Sequence, residues 1–165
     1  MSKKIFVFTD GSVHPKTKQG AWAFCTTRDS KGDTIEYSDS GYTTGEPIGR
    51  IELRAVLNSI NYLVNHSVRV KYIIIYSDAQ YISNAFSLGW LMGWKANNWR
   101  KSNGKPVSNV DLWERIDKAI SNANRRGYKI NVCWVKGHND NFFNEFCDSL
   151  ANKSRKDKRL NKRYT

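Results

Sequence analysis

A short, continuously apolar run from Tyr72 to Tyr76 is the feature that most constrains how this chain can fold. β-Branched and aromatic residues in succession, without polar alternation, are typical of a strand that is covered on both faces. The run follows a helical pattern, because apolar residues recur at three- and four-residue steps between Arg50 and Asn65. A helix that leads into a covered strand indicates a crossover connection, and therefore parallel strands in an α/β sheet.

The remaining patterns complete the predicted order of elements. Residues 4–9, 20–27 and 34–42 are strand-like and are separated by turn signals, which predicts an antiparallel meander at the start of the chain. Residues 128–135 form a fifth strand, and helices are predicted at 81–88, at 110–123 and from 142 to about 156. Antiparallel strands followed by crossovers predict one mixed sheet flanked by helices.

Composition restricts the class of protein and of partner. The 165 residues carry 27 Lys and Arg against 15 Asp and Glu, a net charge of +12 that favours polyanionic partners, although a merely basic protein is the simpler alternative. The three cysteines are an odd number without a C-x-x-C pair, which disfavours both a disulfide framework and a cysteine zinc site. No apolar run is long enough for a bilayer, and the first residues do not fit a signal peptide. We therefore expect a cytoplasmic monomer without membrane contact.

Acidic side chains follow the predicted strands and helices at suggestive positions. Asp10 ends the first strand and Asp78 ends the fourth, and ligand sites form at the carboxyl ends of strands in open α/β sheets. Glu52 lies at the edge of the apolar face of its helix, and Asp148 lies one helical turn after Asn144. Clustered carboxylates repel one another unless a divalent cation such as Mg²⁺ or Mn²⁺ neutralises them.

Each acid also has a simpler interpretation. An Asp before Gly is often a turn former, a Glu in the first helical turn is favoured by the helix dipole, and a helical Asp can be merely solvated. Only the joint arrangement favours a metal site, because spacing in sequence does not prove that the side chains converge.

Five motifs in one order resemble those of type 1 ribonuclease H, in particular its bacterial-like members. The resemblance covers residues 4–151 and rests on Thr9-Asp10-Gly11-Ser12, Arg50-Ile51-Glu52-Leu53, Ser77-Asp78-Ala79-Gln80, Trp134-Val135-Lys136-Gly137-His138 and Asn144-Glu145-Phe146-Cys147-Asp148. It implies a ribonuclease H-like α/β fold, with a five-stranded mixed sheet in the order 3-2-1-4-5. We expect residues 1–152 to form the catalytic domain and residues 153–165 to form a basic tail, which is either solvated or attracted to phosphates.

The resemblance also implies a chemistry. It implies an endonuclease that hydrolyses the RNA strand of RNA–DNA hybrids with two Mg²⁺ ions, for which Mn²⁺ could substitute, and that leaves 5′-phosphate and 3′-hydroxyl ends. Asp10, Glu52, Asp78 and Asp148 match the metal-binding and catalytic carboxylates of the family. His138 matches its catalytic loop histidine, which is thought to assist proton transfer or product release.

Further residues are candidates for holding the substrate. Backbone groups of Gly11 and Ser12 and the side chains of Gln80 and Asn144 could read the 2′-hydroxyls of RNA. Residues 89–105 carry no acid and resemble the family's basic protrusion, which grips the DNA strand; its candidate contacts are Trp90, Trp94, Lys95, Trp99, Arg100 and Lys101. Of the six tryptophans, we expect Trp22, Trp113 and Trp134 in the core, Trp90 and in part Trp94 packed against it, and Trp99 the most exposed of the protrusion.

This chain departs from the family pattern at two loops. Before Arg50 the family usually carries Thr-Asn-Asn, whose amides contact the RNA near the cut, whereas this chain has Pro47-Ile48-Gly49. The loop at residues 12–18 also lacks the Gly-Asn-Pro-Gly run of many members. Two rival functions remain at this stage: a DNA nuclease or resolvase of the ribonuclease H-like group, and a binding module with a dead site, which the presence of all four acids disfavours.

Overall fold

The computed structural model describes residues 3–136 and 141–157. Within these ranges the chain forms five strands and five helices. The strands are β1 (Lys4–Val13), β2 (Gln19–Thr27), β3 (Ser38–Thr44), β4 (Tyr72–Ser77) and β5 (Lys129–Trp134). The helices are α1 (Ile48–Asn65), α2 (Gln80–Ser87), α3 (Trp90–Ala96), α4 (Val110–Arg125) and α5 (Phe142–Lys156). None of these helices is both long and apolar enough to cross a membrane.

The strands form one mixed sheet in the order β3-β2-β1-β4-β5. β1 pairs antiparallel with β2, and β2 pairs antiparallel with β3, as expected for a meander joined by turns. β4 pairs parallel with both β1 and β5, as the helical crossovers require. The predicted mixed sheet and its strand order are therefore confirmed.

Helices cover the two faces of the sheet unequally. α1 packs on β1 and β2 and contacts α4, and their apolar stripes enclose the larger core with Trp22, Ile60, Ile73, Ile75 and Trp113. On the other face α5 packs on β1, β2 and β3, where Phe143 and Cys147 meet Phe8 and Cys25. The apolar run in β4, predicted to be covered on both faces, is fully buried on one face only. Ile73 and Ile75 are fully buried, whereas Ile74 and Tyr76 on the other face are half-buried.

The third strand begins later than its sequence pattern predicts. Ladder pairing starts at Ser38 rather than at residue 34, because two residues lie opposite Thr26. The amide of Glu36 donates to the Thr26 carbonyl at 2.8 Å, and the amide of Tyr37 donates to the Thr26 hydroxyl at 3.0 Å. This bulge interrupts the ladder, so the β-branched residues before it run beside β2 without regular pairing.

Trp134 is not a core residue, so that prediction was wrong. Its side chain is 49% exposed, because it lies at the end of β5, the edge strand of the sheet. Its indole N–H donates to the carbonyl of Asp78 at 3.2 Å, so the ring lies beside the end of β4 rather than beneath a helix. Trp22 and Trp113 are buried as predicted.

The last helix extends past the point where the basic tail was placed. α5 continues to Lys156, and Ser154 is buried and hydrogen-bonded to Ser40 of β3. The division into a catalytic domain and a tail stays a prediction, since residues 158–165 lie outside the described ranges.

Candidate active site

Strand register places Asp10 level with Asp78. The parallel pairing of β1 with β4 ends at Phe8 opposite Tyr76, so two residues further along each strand brings Asp10 opposite Asp78. Adjacent strands are about 4.8 Å apart, and both positions lie at the carboxyl edge of the sheet. β1 itself continues to Val13, because it stays paired with β2 after β4 has ended. The two carboxylates therefore stand where one strand stops and its neighbour continues.

Glu52 joins them from the first turns of α1. A Cβ built on Gly11 would lie 3.4 Å from Glu52 Cγ and 3.0 Å from Ile51 Cγ2, so α1 packs directly on the backbone beside Asp10. Burial, followed by the negative charges of Asp78 and Asp10, raises the pKa of Glu52 from 4.5 to about 7. Three acids distant in sequence are thus brought within electrostatic range of one another.

α5 carries Asp148 and Asn144 towards the same corner of the fold. The thiol of Cys147 donates to the Phe8 carbonyl at 3.1 Å, which fixes this turn of α5 two residues from Asp10 along β1. Burial, Cys25 and then the charge of Asp10 raise the pKa of Cys147, so the neighbour of Asp148 senses that carboxylate. Both Asn144 and Asp148 are half-buried, and the Asn144 Nδ2 is buried without a hydrogen-bond partner among the described residues.

The donor set suits a hard divalent cation. Carboxylate oxygens are the ligands that Mg²⁺ and Mn²⁺ prefer, and a cation would offset both effects that raise the pKa of Glu52, its burial and the negative charges of Asp78 and Asp10. Across residues 3–136 and 141–157, no three carboxylate, imidazole or thiol groups lie close enough to enclose a metal ion as they stand. The residues therefore fit the cation in their chemistry, whereas the described side chains do not enclose it.

The other candidate substrate contacts are placed as follows. The amide of Gly11 donates to the Asp10 carboxylate at 2.8 Å, so this backbone group orients a catalytic candidate. The hydroxyl of Ser12 donates to Asn152 at 2.8 Å and accepts from Arg155 at 3.1 Å, which ties the end of β1 to α5. Gln80 is exposed at the start of α2, two residues after Asp78.

Sequence reasoning missed the contacts that fix the loop before α1. Glu46 binds Arg54 through two hydrogen bonds of 2.7 and 2.6 Å, and Arg50 binds Asp111 of α4 through two of 2.9 and 2.8 Å. Tyr81 of α2 donates its hydroxyl to the Gly49 carbonyl at 2.8 Å. Paired charges eight or 61 residues apart in sequence carry no local signal that could have revealed them.

The basic protrusion is a short helix followed by a small hairpin. After α3, Arg100 and Pro106 form a β-bridge, and the amide of Lys101 donates to the Lys105 carbonyl at 2.8 Å. Arg100, Lys101 and Lys105 are exposed around this turn, whereas Lys95 forms an ion pair with Asp117 at 2.9 Å. The hairpin therefore presents exposed cations, whereas the cation of α3, Lys95, is paired with Asp117.

Two tryptophans of the protrusion exchange their predicted roles. Trp90 is 40% exposed, whereas Trp99 is half-buried against the core, so those two predictions were wrong. Asn98 and Trp99 both have positive φ, 53° and 60°, and this left-handed turn folds the Trp99 indole back beneath the hairpin. Trp94 packs edge-on against Trp113 at 5.4 Å between ring centroids and is half-buried, as expected. The loop residue His138 lies outside the described residues.

Comparison with known proteins agrees with this fold. The RNase H family model matches residues 2–156. Ribonuclease HI of Haemophilus influenzae is 39% identical over 155 residues, which cover 93% of this chain and 90% of that enzyme. Ribonuclease H of Chlorobium phaeobacteroides is 34% identical over 159 residues, which cover 96% of this chain and all of that enzyme (100%).

Solved structures show the same fold at lower sequence identity. A type 1 RNase H with the type 2 active-site motif superposes with a TM-score of 0.76 at 19% identity, over 94% of this chain and 74% of that one. The RNase H domain of prototype foamy virus superposes with a TM-score of 0.73 at 15% identity, over 94% of each chain. The sheet order and the acids at its carboxyl edge define a nuclease of the ribonuclease H-like class. More narrowly, the chain belongs to the RNase H family, whose members are metal-dependent endonucleases acting on RNA–DNA hybrids.

Proposed function

We propose that this protein hydrolyses the RNA strand of RNA–DNA hybrids, with Asp10, Glu52, Asp78 and Asp148 as its catalytic carboxylates. The observation that carries the proposal is the electrostatic contact of Glu52 with Asp78 and Asp10 at the carboxyl edge of an RNase H sheet. Acids held together against their mutual repulsion, in a chain of net charge +12, are the arrangement expected of a cation site facing a polyanionic substrate.

These four carboxylates would hold two Mg²⁺ ions, and Mn²⁺ is the expected substitute. Bound Mg²⁺ supplies a water of lowered pKa and neutralises charge on the leaving oxygen. Gly11 holds the Asp10 carboxylate through its amide, and the packing of α1 on Gly11 fixes Glu52 beside it. Cleavage forms a bond between phosphorus and the water oxygen and breaks the bond to the 3′ oxygen, which gives 5′-phosphate and 3′-hydroxyl ends.

Substrate binding is assigned to groups around this corner and to the protrusion. Asn144, whose Nδ2 is buried without a described partner, and the exposed Gln80 would donate to the RNA strand, where 2′-hydroxyls accept hydrogen bonds. The backbone of Gly11 and Ser12 would line the same groove. Arg100 and Lys101 would bind phosphates of the DNA strand, with the exposed Trp90 and the less exposed Trp94, Lys95 and Trp99 supporting that surface.

The remaining parts of the proposal rest on sequence. His138 would move a proton at the leaving 3′ oxygen, a role for which imidazole suits neutral pH. We propose a cytoplasmic location, with which the free thiols of Cys25, Cys133 and Cys147 agree because cysteines stay reduced there, and we keep a monomer as the acting species. The basic residues of the predicted tail, 153–165, would add weak attraction to phosphates.

Asp10→Asn tests the mechanism. We expect this variant to lose Mg²⁺-dependent cleavage of a labelled hybrid by at least about a thousandfold while its affinity for the hybrid is retained, because the substitution removes charge at the cation site and keeps the shape. Asp33→Asn, at an exposed acid of the turn after β2, is the matched control and should cleave as the wild type does. Equal cleavage by Asp10→Asn and wild type would contradict the assigned site.

A substrate panel tests the specificity. Hybrid, duplex DNA and duplex RNA of one sequence are compared in gel assays with Mg²⁺ and with EDTA. We expect only the RNA strand of the hybrid to be cut, and nothing to be cut in EDTA. Preferential cutting of duplex DNA would instead indicate a DNA nuclease of the same fold.

A further inference from the structure

A lysine lies at or just before the start of each of the three parallel strands, on the edge of the sheet opposite the carboxylates: Lys4 begins β1, Lys71 precedes β4 and Lys129 begins β5. The amide of Lys71 donates to the Lys3 carbonyl at 2.9 Å, and the amide of Lys129 donates to the Lys71 carbonyl at 2.7 Å. Lys4, Tyr72 and Lys129 stand in one register row across β1, β4 and β5. Strands about 4.8 Å apart place the two lysines of this row about 10 Å from each other, on either side of the tyrosine. We call Lys4, Lys71, Tyr72 and Lys129 the amino-edge surface.

The cations of this surface face solvent. Lys4, Lys71 and Lys129 are exposed, and none of the ion pairs between described residues involves Lys71 or Lys129. Residues 65–77 and 118–136 contain no acid, and they add further exposed cations at Arg69, Arg125 and Arg126. Like charges left together on a surface are destabilising unless a polyanion uses them.

The same face of the sheet offers rings as well as charge. Since residues in one parallel row point to the same side, Lys4, Tyr72 and Lys129 lie opposite to Ile5 and Ile73, which are buried in the larger core. Within the described residues, α5 covers β1, β2 and β3 on this side, so Tyr72, Ile74 and Tyr76 remain half-exposed. An open cavity of about 550 Å³ lies along β4 and the edge strand β5, and residues of both sheet faces line it: Ile74, Tyr76, Asn131 and Cys133 from this face, and Phe86, Ser87, Ile130 and Val132 from the other side and the edge.

This surface is separate from the active site. Asp10 lies six residue steps after Lys4 along β1, which at about 3.3 Å per residue is about 20 Å. The hairpin of the protrusion also lies away from this face, because Trp99 packs on the larger core, on the other side of the sheet. Nucleic acid bound here would therefore be additional to the strand being cut.

We propose that the amino-edge surface is a second nucleic-acid site that binds single-stranded DNA or RNA. Phosphates would bind Lys4, Lys71 and Lys129, and a base would stack on the Tyr72 ring, over which Lys71 Nζ already lies at 5.5 Å from the centroid. Lysines around half-exposed rings on an open sheet face are the chemistry that recognises single strands. The site would keep the enzyme on single-stranded stretches next to a hybrid.

A membrane surface is the less favoured partner for the same charges. Binding in a headgroup layer needs large apolar side chains beside the cations. The exposed large apolar residues of the described chain are Ile48, Tyr81, Leu88, Trp90, Met92, Trp134 and Phe142, and none belongs to the amino-edge surface.

The test measures single-strand binding while the active-site groove is occupied. The full chain is kept in EDTA, a labelled oligodeoxythymidine is bound, and unlabelled hybrid is added until the groove is saturated. We expect fluorescence anisotropy to show more than about half of the oligodeoxythymidine still bound. Complete displacement by the hybrid would overturn the proposal.

Variants then locate the second site. Lys4→Gln, Lys71→Gln and Lys129→Gln together should weaken oligodeoxythymidine binding at least about fivefold and reduce the slope of log affinity against log salt by about 2, because three phosphate contacts are lost. Tyr72→Leu should weaken binding and leave the salt slope unchanged, since stacking releases no counterions. Hybrid cleavage should be unchanged in both variants.

A charge-matched control excludes a general effect of net charge. Lys31→Gln, Arg115→Gln and Lys118→Gln remove three exposed cations from other parts of the surface. Equal losses of affinity in both triple variants would contradict the proposed location. Anionic phospholipid vesicles provide the last arm, and binding to them that is lost in the first triple variant, with oligodeoxythymidine binding retained, would assign the surface to lipid instead.

Discussion

The ionisation of Glu52 links stability and activity at a single side chain. Burial and the charges of Asp78 and Asp10 raise its pKa from 4.5 to about 7, so the folded protein holds this proton more tightly than the unfolded chain does. Stability without metal therefore falls as pH rises from the unfolded pKa, 4.5, to the folded pKa, about 7. Above this pH range the full loss of stability remains, because the charged Glu52 carboxylate is buried beside the carboxylates of Asp78 and Asp10.

Glu52→Gln should remove the loss of stability that ionised Glu52 causes. In EDTA at pH 8 we expect the variant to exceed the wild type in free energy of unfolding by about 1–2 kcal/mol, a value already reduced for solvent screening at a partly exposed group. Near pH 4.5 the difference should disappear, because the wild-type carboxyl is then protonated in the folded state. Urea unfolding at the two pH values measures both differences, and hybrid cleavage should be lost throughout.

Glu114→Gln on α4 is the control, since it removes a Glu outside the cluster. A gain of stability in Glu114→Gln equal to that in Glu52→Gln would contradict the local explanation. So would a Glu52→Gln difference that is the same at both pH values.

At the residue scale, sequence predicts the acids better than it predicts the side chains around them. Asp78 follows a recognisable strand, and the helical period places Glu52 at the edge of a buried face. Asp10 was expected to end the first strand, but it lies within β1, which continues to Val13. The exposure of Trp134 was missed because its apolar strand pattern suggests burial, although the expected strand order already placed β5 at the edge of the sheet. The hydrogen bond from Tyr81 to Gly49 was equally hidden, since it joins two elements through a backbone carbonyl.

At the scale of elements, the loop before α1 is fixed by an ion pair where the family usually has amides. The side chains of Glu46 and Arg54 are only 18% and 10% exposed, and two hydrogen bonds join them. Burial alone would raise the pKa of Glu46, but Arg54 and Arg50 together hold it below 4.5. The pair therefore stabilises the fold above that pH and loses its effect as the pH falls below it.

Glu46→Ala should destabilise the protein strongly, because it leaves the buried Arg54 guanidinium without its partner. We expect a loss of about 2–4 kcal/mol in the free energy of unfolding, measured in urea at pH 7. Glu36→Ala breaks the corresponding pair with Arg28, whose side chains are 32% and 31% exposed, and should cost less than about 1 kcal/mol. Similar losses in the two variants would show that burial does not set the strength of these pairs.

The helices and strands were largely predictable from the sequence. Their observed bounds differ from the predicted ones where long-range contacts determine the local structure. α1, β4, α4 and α5 lie within a few residues of their sequence patterns, since period and turn residues are local signals. β3 starts late because the Thr26 side chain takes a backbone partner from the ladder, which no propensity records. Trp99 turns inwards through a left-handed backbone that helical spacing does not anticipate.

At the scale of the whole molecule, opposite charges are separated onto different edges and protrusions. Asp10, Glu52 and Asp78 gather at the carboxyl edge, while groups of exposed cations lie on the hairpin after α3 and along the amino edge. In the proposed mode of binding, the phosphate backbone would be held at a distance from these acids and would meet them at the point of cleavage. Affinity and chemistry should consequently respond to different substitutions.

Lys101→Gln with Lys105→Gln should raise KM for the hybrid and reduce the salt slope by about 2, with little change in kcat, because both cations lie free at the hairpin. Lys95→Gln is the comparison, and we expect a smaller rise in KM, since Lys95 already pairs with Asp117 at 2.9 Å. Steady-state cleavage over a range of salt concentrations measures these effects. A larger effect of Lys95→Gln would mean that the ion pair opens when substrate binds.

The unequal lengths of β1 and β4 determine where on the sheet the proposed cleavage could take place. The two strands begin together, but β1 continues to Val13 while β4 stops at Ser77, so the sheet is flush at one border and stepped at the other. In the proposed function, this step is where a sugar–phosphate chain would approach the acids. Lengthening β4 by one hydrogen-bonded pair would place backbone there and should block the approach while the acids remain intact.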